Sequence, residues 1–118
     1  MKDTISVLGQ EYTIVQDTPK NNPKLEDKYA YVEPYAKKIV VDKTIATSIG
    51  VPSGRSDAIE NIDGFINKVY RHEIIHAFFT ESGIDYNLSK DEEDFLVDWI
   101  AKQFPKMKKI FDELGVSE

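Results

Sequence analysis

The stretch Arg71-His72-Glu73-Ile74-Ile75-His76 contains the pattern H-E-x-x-H within a long apolar run. On an α-helix, residues four apart lie about 40° apart around the axis, so His72 and His76 share one face. Two imidazoles at this spacing can bind one divalent cation, and Glu73 lies beside them as a base for water activated by the metal. The sequence therefore predicts a metal-binding helix, with His72 and His76 as ligands and Glu73 as the catalytic base.

The chain of 118 residues has the length and composition of one globular domain, which we expect to span residues 1–118. It contains no cysteine, so a metal must be held by histidine and carboxylate side chains. The N-terminus is too polar for a signal peptide and no segment is apolar enough to cross a membrane, so we expect a cytoplasmic protein. The net charge of −6 argues against binding to nucleic acid, and with it against a metal-dependent nuclease.

The first half of the chain contains β-prone runs in two pairs. The runs are residues 5–8, 12–15, 29–32 and 38–41. Gly9 separates the first pair and a turn around Pro34 separates the second, so both pairs are predicted to form antiparallel hairpins. Residues 18–28 and 48–56 are rich in Pro, Gly and polar residues and are predicted to be loops.

The second half of the chain is predicted to be helical. The H-E-x-x-H helix should begin at about Asp57, with Ser56 or Asp57 as its N-cap, and end near Gly83. Its apolar residues lie nearly all round the axis, so we expect it to be buried, with both histidines facing inward. Two buried histidines that each hydrogen-bond locally are the alternative to a metal site.

A third metal ligand is expected from the following helix, which Ser89 and Glu92 begin with the pattern of a capping box. We predict that this helix ends at about residue 104. Asp94 and Asp98 share one face, so Asp94 is the predicted ligand and Asp98 the predicted acceptor of a histidine ring N–H. Glu93 lies about 100° away but has a longer side chain, and it is the alternative ligand. Acidic residues in the first turn also interact favourably with the helix dipole, which explains some of these acids but not Asp98.

A short amphipathic C-terminal helix is predicted over residues 105–115, with Pro105 in its first turn. Its apolar stripe consists of Met107, Ile110, Phe111 and Leu114. We expect this stripe to cover the core rather than to bind a partner. The lysines of the same segment are expected on its solvated face rather than in a phosphate-binding patch, and they are Lys106, Lys108 and Lys109.

Residues 71–79, Glu81-Ser82-Gly83 and residues 94–101 together resemble the short zincin-like metallopeptidases common in phages and mobile elements, which are small relatives of the gluzincins. The resemblance covers residues 60–104 and is loose over the N-terminal half. It implies an α+β, zincin-like fold, with a small antiparallel β-sheet packed on the H-E-x-x-H helix and an edge strand beside the cleft. It also implies an acid-x-x-x-Asp arrangement on the next helix, which matches Asp94 and Asp98, although the gluzincin ligand is usually the longer Glu.

The expected function is that of a zinc-dependent peptidase acting on a peptide or protein substrate. One Zn²⁺ would be held by His72, His76 and either Asp94 or Glu93, with Glu73 as general base. Candidates for stabilising the oxyanion are Tyr29, Tyr31, Tyr35 and Tyr86. The alternative is a non-catalytic domain that binds metal, or that keeps only the zincin shape and binds another protein.

Overall fold

The computed structural model describes residues 3–118 and has an α+β architecture, as the sequence predicts. Within that range, four strands form one sheet and three α-helices accompany it. The strands are β1 (Thr4–Val7), β2 (Gln10–Asp17), β3 (Ala30–Glu33) and β4 (Lys38–Asp42), and the helices are α1 (Ile45–Ile49), α2 (Ile62–Ser82) and α3 (Lys90–Leu114). Helix α1 is not predicted by the sequence, and its last two residues fall within residues 48–56, which are predicted to be a loop.

The sheet has the strand order β1-β2-β4-β3 and is mixed rather than antiparallel. Both predicted hairpins are present, but β2 and β4 pair in parallel, with Ile14 opposite Ile39. The prediction of a purely antiparallel sheet is therefore wrong. The physical reason lies in β4, whose run Ile39-Val40-Val41 is buried throughout. A continuous apolar run suits a central strand covered on both faces, so β4 lies inside the sheet and β3 lies at its edge.

Helix α2 packs against the sheet and lies beside β3, one of its two edge strands. The buried core between them consists of Val7, Tyr12, Ala30, Ile39, Val41, Ile45, Val69, Tyr70 and Ala77. One side of α2 is therefore fixed against the sheet. The remaining side faces α3 and the solvent, so the expectation that α2 is buried nearly all round is wrong.

Helix α2 ends where the sequence predicts but begins later than predicted. Gly83 ends the helix in the left-handed conformation, with φ of 81°, as predicted. The helix begins at Ile62, however, five residues later than the predicted start, because Asn61 caps its first turn. Asp57, the predicted N-cap, instead accepts a 2.8 Å hydrogen bond from Arg55.

Helix α3 begins with the predicted capping box, in which Ser89 and Glu92 exchange hydrogen bonds. The predicted break before Pro105 is wrong, because α3 continues through the proline as one helix of 25 residues. Proline lacks the N–H that would bond the carbonyl of Ala101. The side chain of Arg71 donates to that carbonyl from Nε at 2.9 Å and replaces the missing bond.

Beyond Ala101, which is the last buried residue of α3, all residues of the helix are exposed except Gln103 and Met107, which are partly covered. The predicted core-covering stripe is therefore mostly exposed at Ile110, Phe111 and Leu114. Lys108 lies on the solvated side as predicted, paired with Asp112. Among residues 3–118, no helix combines the length and the apolar character needed to cross a membrane.

Candidate metal centre

Helix α2 brings His72, Glu73 and His76 into one cluster. Each of the three offers a ligand atom, and these atoms lie within 4.8 Å of one another. The two imidazole rings have centroids 4.9 Å apart, as expected for positions one turn apart on one face. Both rings are largely covered, and Glu73 is only 8% exposed. The sequence pattern therefore forms a compact group of nitrogen and oxygen donors in the protein interior.

Helix α3 supplies a carboxylate to the Nδ1 atom of each histidine. Nδ1 of His76 lies 2.5 Å from Oε2 of Glu93, and Nδ1 of His72 lies 3.4 Å from Oδ1 of Asp98. Because an ionised carboxylate can only accept, these contacts favour a proton on each Nδ1. In a neutral imidazole, Nε2 is then unprotonated and available as a metal ligand.

Asp94 faces the other nitrogen of His76. Its Oδ1 lies 3.5 Å from Nε2 of His76, and the side chain is 50% exposed. Ligands that share a tetrahedral zinc ion at bond lengths of 2.0–2.2 Å lie about 3.3–3.6 Å from one another. The distance between these two atoms falls in that range, but Asp94 is not part of the cluster of His72, Glu73 and His76, whose ligand atoms lie within 4.8 Å of one another.

The three acids of α3 thus occupy different positions around the histidines. Asp94, the predicted third ligand, lies beside Nε2 of His76 but outside the cluster of His72, Glu73 and His76. Glu93, the predicted alternative ligand, contacts the opposite side of the His76 ring. Asp98 contacts His72, as expected for an acceptor of a ring N–H. Glu92 is occupied by the capping box and takes no part.

Two lysines near the cluster are missing from the sequence prediction. Lys68 lies 3.4 Å from Asp98 and lines the same cavity as His72. It precedes His72 by four residues, so helical spacing could have identified it. Lys28 also lines the site, but it belongs to the loop before β3, where no local pattern indicates its position.

The buried setting changes the acidity of several groups. Burial raises the pKa of Glu73 to about 7, while His76 and Lys28 lower it and Asp94 raises it further. Burial and the neighbouring His76 lower the pKa of His72, against the opposing charge of Asp98. Burial alone would raise the pKa of Asp98, but a hydrogen bond from Lys102 and the charge of Lys68 lower it below its ordinary value.

Two cavities meet at His72 and Glu73. The first has a volume of about 600 Å³ and extends from these residues past Phe65 and Tyr29. The second, of about 410 Å³, runs along β3 and includes His76, Glu93 and Asp94 in its wall. Of the four tyrosines considered from the sequence, Tyr29 lines the first cavity and Tyr31 lines the second, while the other two are more than 90% exposed.

Comparisons with models of known protein families, with curated proteins and with solved structures found no match to this chain. The functional interpretation therefore rests on the geometry of the cluster and on the chemistry of its donors.

Proposed function

We propose that this chain is a zinc-dependent peptidase with a zincin-like fold, in which His72, His76 and Asp94 hold one Zn²⁺ and Glu73 is the general base. The observation that carries the proposal is the arrangement of acids around the two imidazoles. Carboxylates of α3 contact both Nδ1 atoms, and Asp94 lies 3.5 Å from the remaining nitrogen of His76. Oriented histidines with a carboxylate on the far side of the ring are typical of zinc sites in enzymes.

The donor set fits zinc by its chemistry. Two imidazole nitrogens and one carboxylate oxygen are the ligands of many catalytic zinc sites, which keep a further position for water or substrate. The chain has no cysteine, so a closed thiolate site of the structural kind is excluded. The partial exposure of Asp94 also leaves the site accessible from the second cavity.

Each residue at the site then has a separate task. A bound zinc ion supplies Lewis acidity, which acidifies water and polarises a peptide carbonyl. Glu73 accepts a proton from the attacking water and delivers it to the leaving amine. Burial raises its pKa to about 7 in the metal-free chain, and the charge of a bound zinc ion would lower that pKa and so favour the ionised form that accepts a proton. Glu93 and Asp98 hold the rings of His76 and His72 in orientation.

The cavities indicate how a peptide would lie at this site. Strand β3 is the edge strand that lines the second cavity, with Ala30, Tyr31 and Val32. An extended peptide can pair with the free edge of such a strand through main-chain hydrogen bonds. A side chain of that peptide would then enter the first cavity, beside the edge-to-face pair of Phe65 and Tyr29. Tyr31 lines the second cavity, and its hydroxyl accepts a 2.8 Å hydrogen bond from Nδ2 of Asn22.

The alternative function is that of a protein-binding module without turnover. One observation favours it: the contacts of His72 with Asp98 and of His76 with Glu93 already partner both rings without a cation. A module that only keeps the zincin shape would retain these pairs and bind no metal.

The test measures metal content and hydrolysis on the same samples. We expect one zinc per chain by elemental analysis, and cleavage of an unfolded protein substrate. The Glu73→Gln variant should keep the zinc and lose about 10²–10⁴-fold in cleavage rate. Glu60→Gln, the same change at an exposed carboxylate before α2, is the matched control and should leave both unchanged. A Glu73→Gln protein that cleaves as fast as the parent contradicts the assigned base, and a chain that binds no zinc supports the module.

A further inference from the structure

The second half of α3 presents an apolar surface to solvent. Helix α3 is buried at Val97 and Ala101 and at no later position within the described chain. Further along, its large apolar side chains are 46–74% exposed, and they are Phe104, Ile110, Phe111 and Leu114. Trp99 extends the same surface toward the start of the helix and is 50% exposed. A stable helix with an uncovered apolar face of this length is typical of an interaction site.

The spacing along this face is that of a coiled-coil seam. Intervals of four, three, four, three and four residues separate the seam positions Leu96, Ile100, Gln103, Met107, Ile110 and Leu114. Ile110 and Leu114 are exposed, and the other four positions are partly buried. Such alternation places residues at successive a and d positions of a heptad. The pattern is also symmetrical about residue 105, because it reads the same in both directions. A symmetrical seam is self-complementary when two copies of the helix run antiparallel.

The area of the surface is comparable with what a dimer requires. Aromatic side chains bury roughly 150–250 Å² each when fully covered, so half-exposed ones leave roughly 100 Å² apiece. With the aliphatic residues of the seam, each copy offers roughly 600 Å² of apolar area. Stable interfaces bury about 800 Å² per partner, of which somewhat more than half is apolar. The seam and the aromatic side chains beside it together supply the apolar part of a standard interface.

We propose that this seam is the interface of a two-fold symmetric dimer, in which α3 packs antiparallel against α3 of a second copy of the chain. The symmetry places Leu96 opposite the partner's Leu114, and Ile100 opposite the partner's Ile110. Two copies of Phe104 meet beside the axis. Asp94 and Asp98 lie about 180° around the helix from the seam, so the dimer leaves the candidate metal centre open.

The first test measures oligomeric state and disrupts the seam. Sedimentation at micromolar to hundreds of micromolar chain should give twice the 13.5 kDa mass of one chain. Ile110→Glu, at a site 61% exposed in the single chain, should raise the dissociation constant roughly 30-fold or more without loss of helical signal. Val51→Glu introduces the same charge at a side chain 60% exposed elsewhere and should have no effect. A monomer at every concentration, or a dimer indifferent to Ile110→Glu, overturns the proposal.

The second test determines the direction of packing. Because the chain has no cysteine, a single introduced cysteine can form a disulfide only with the cysteine introduced into the other copy. When Ile100→Cys chains are mixed with Ile110→Cys chains and oxidised, mixed disulfide dimers should exceed both self-linked dimers. Predominance of self-linked Ile100→Cys dimers would indicate a parallel pair and overturn the antiparallel arrangement.

Discussion

Nε of Arg71 donates a 2.9 Å hydrogen bond to the carbonyl oxygen of Ala101, which is the carbonyl that Pro105 deprives of its helical donor. A buried carbonyl without a donor costs about 1–3 kcal/mol. The arginine therefore both joins α2 to α3 and allows α3 to continue through the proline.

This relationship predicts a coupling between Arg71 and Pro105. We expect Arg71→Met to lower the free energy of unfolding by about 1–3 kcal/mol in urea titrations. In a Pro105→Ala background the backbone N–H of residue 105 can bond Ala101, so Arg71→Met should cost clearly less there. Equal costs in the two backgrounds would show that the hydrogen bond does not compensate for the proline.

The acids of α3 should affect zinc affinity to different extents. Asp94→Asn removes the proposed ligand and should weaken binding most. Glu93→Gln alters the partner of His76 Nδ1 and should weaken binding about 10–100-fold. Asp91→Asn, an exposed acid of the same helical turn, is the control. Titration with a competing zinc indicator measures all three. If Glu93→Gln loses more zinc affinity than Asp94→Asn, Glu93 is the ligand and Asp94 is the residue that orients a histidine.

The stability of the metal-free protein should fall as the pH rises through the range set by Glu73. Its pKa is raised from 4.5 to about 7 by burial, so between these values the folded protein holds a proton that the unfolded chain has lost. The loss in the free energy of unfolding that comes from ionising Glu73 is absent below pH 4.5 and complete above pH 7, where it reaches about 3 kcal/mol. In the presence of a chelator, Glu73→Gln should therefore be more stable than the parent at pH 8. Urea unfolding of the variant and the parent at pH 4.5 and at pH 8 checks this. A variant that is less stable than the parent at pH 8 would contradict it.

Glu81, near the C-terminal end of α2, should make stability depend on pH in the opposite direction. Glu81 accepts hydrogen bonds from Lys37 and from the hydroxyl of Tyr12, both at 2.5 Å, and these lower its pKa below 4.5. The stabilisation is present above that pH and is lost as the pH falls. Glu81→Gln should lower the melting temperature at pH 7 and have little effect near pH 3. If parent and variant differ in melting temperature by the same amount at pH 7 and pH 3, the charge of Glu81 does not contribute to stability.

Local patterns predicted much of this structure. The hairpins, the Gly83 cap, the Ser89 capping box and the histidine face each depend on residues close together in the sequence. The face shared by Asp94 and Asp98 also predicted that both acids lie beside the histidines.

The errors involve partners that are distant in the sequence. A proline ordinarily ends a helix, and only Arg71, thirty residues before Ala101, allows α3 to continue. The parallel pairing of β2 with β4 depends on which strand of the second hairpin is covered on both faces. The position of Glu93 on the far side of the His76 ring depends on how α3 is rotated against α2, which spacing within α3 does not determine.

The acids that contact His72 and His76 all come from α3, whereas both histidines belong to α2, which is fixed to the sheet. A metal bound at the centre would consequently hold α3 more firmly against α2 and the sheet. Amide hydrogens of α3 should exchange with deuterium faster after chelation, while those of β2 and β4 keep their protection.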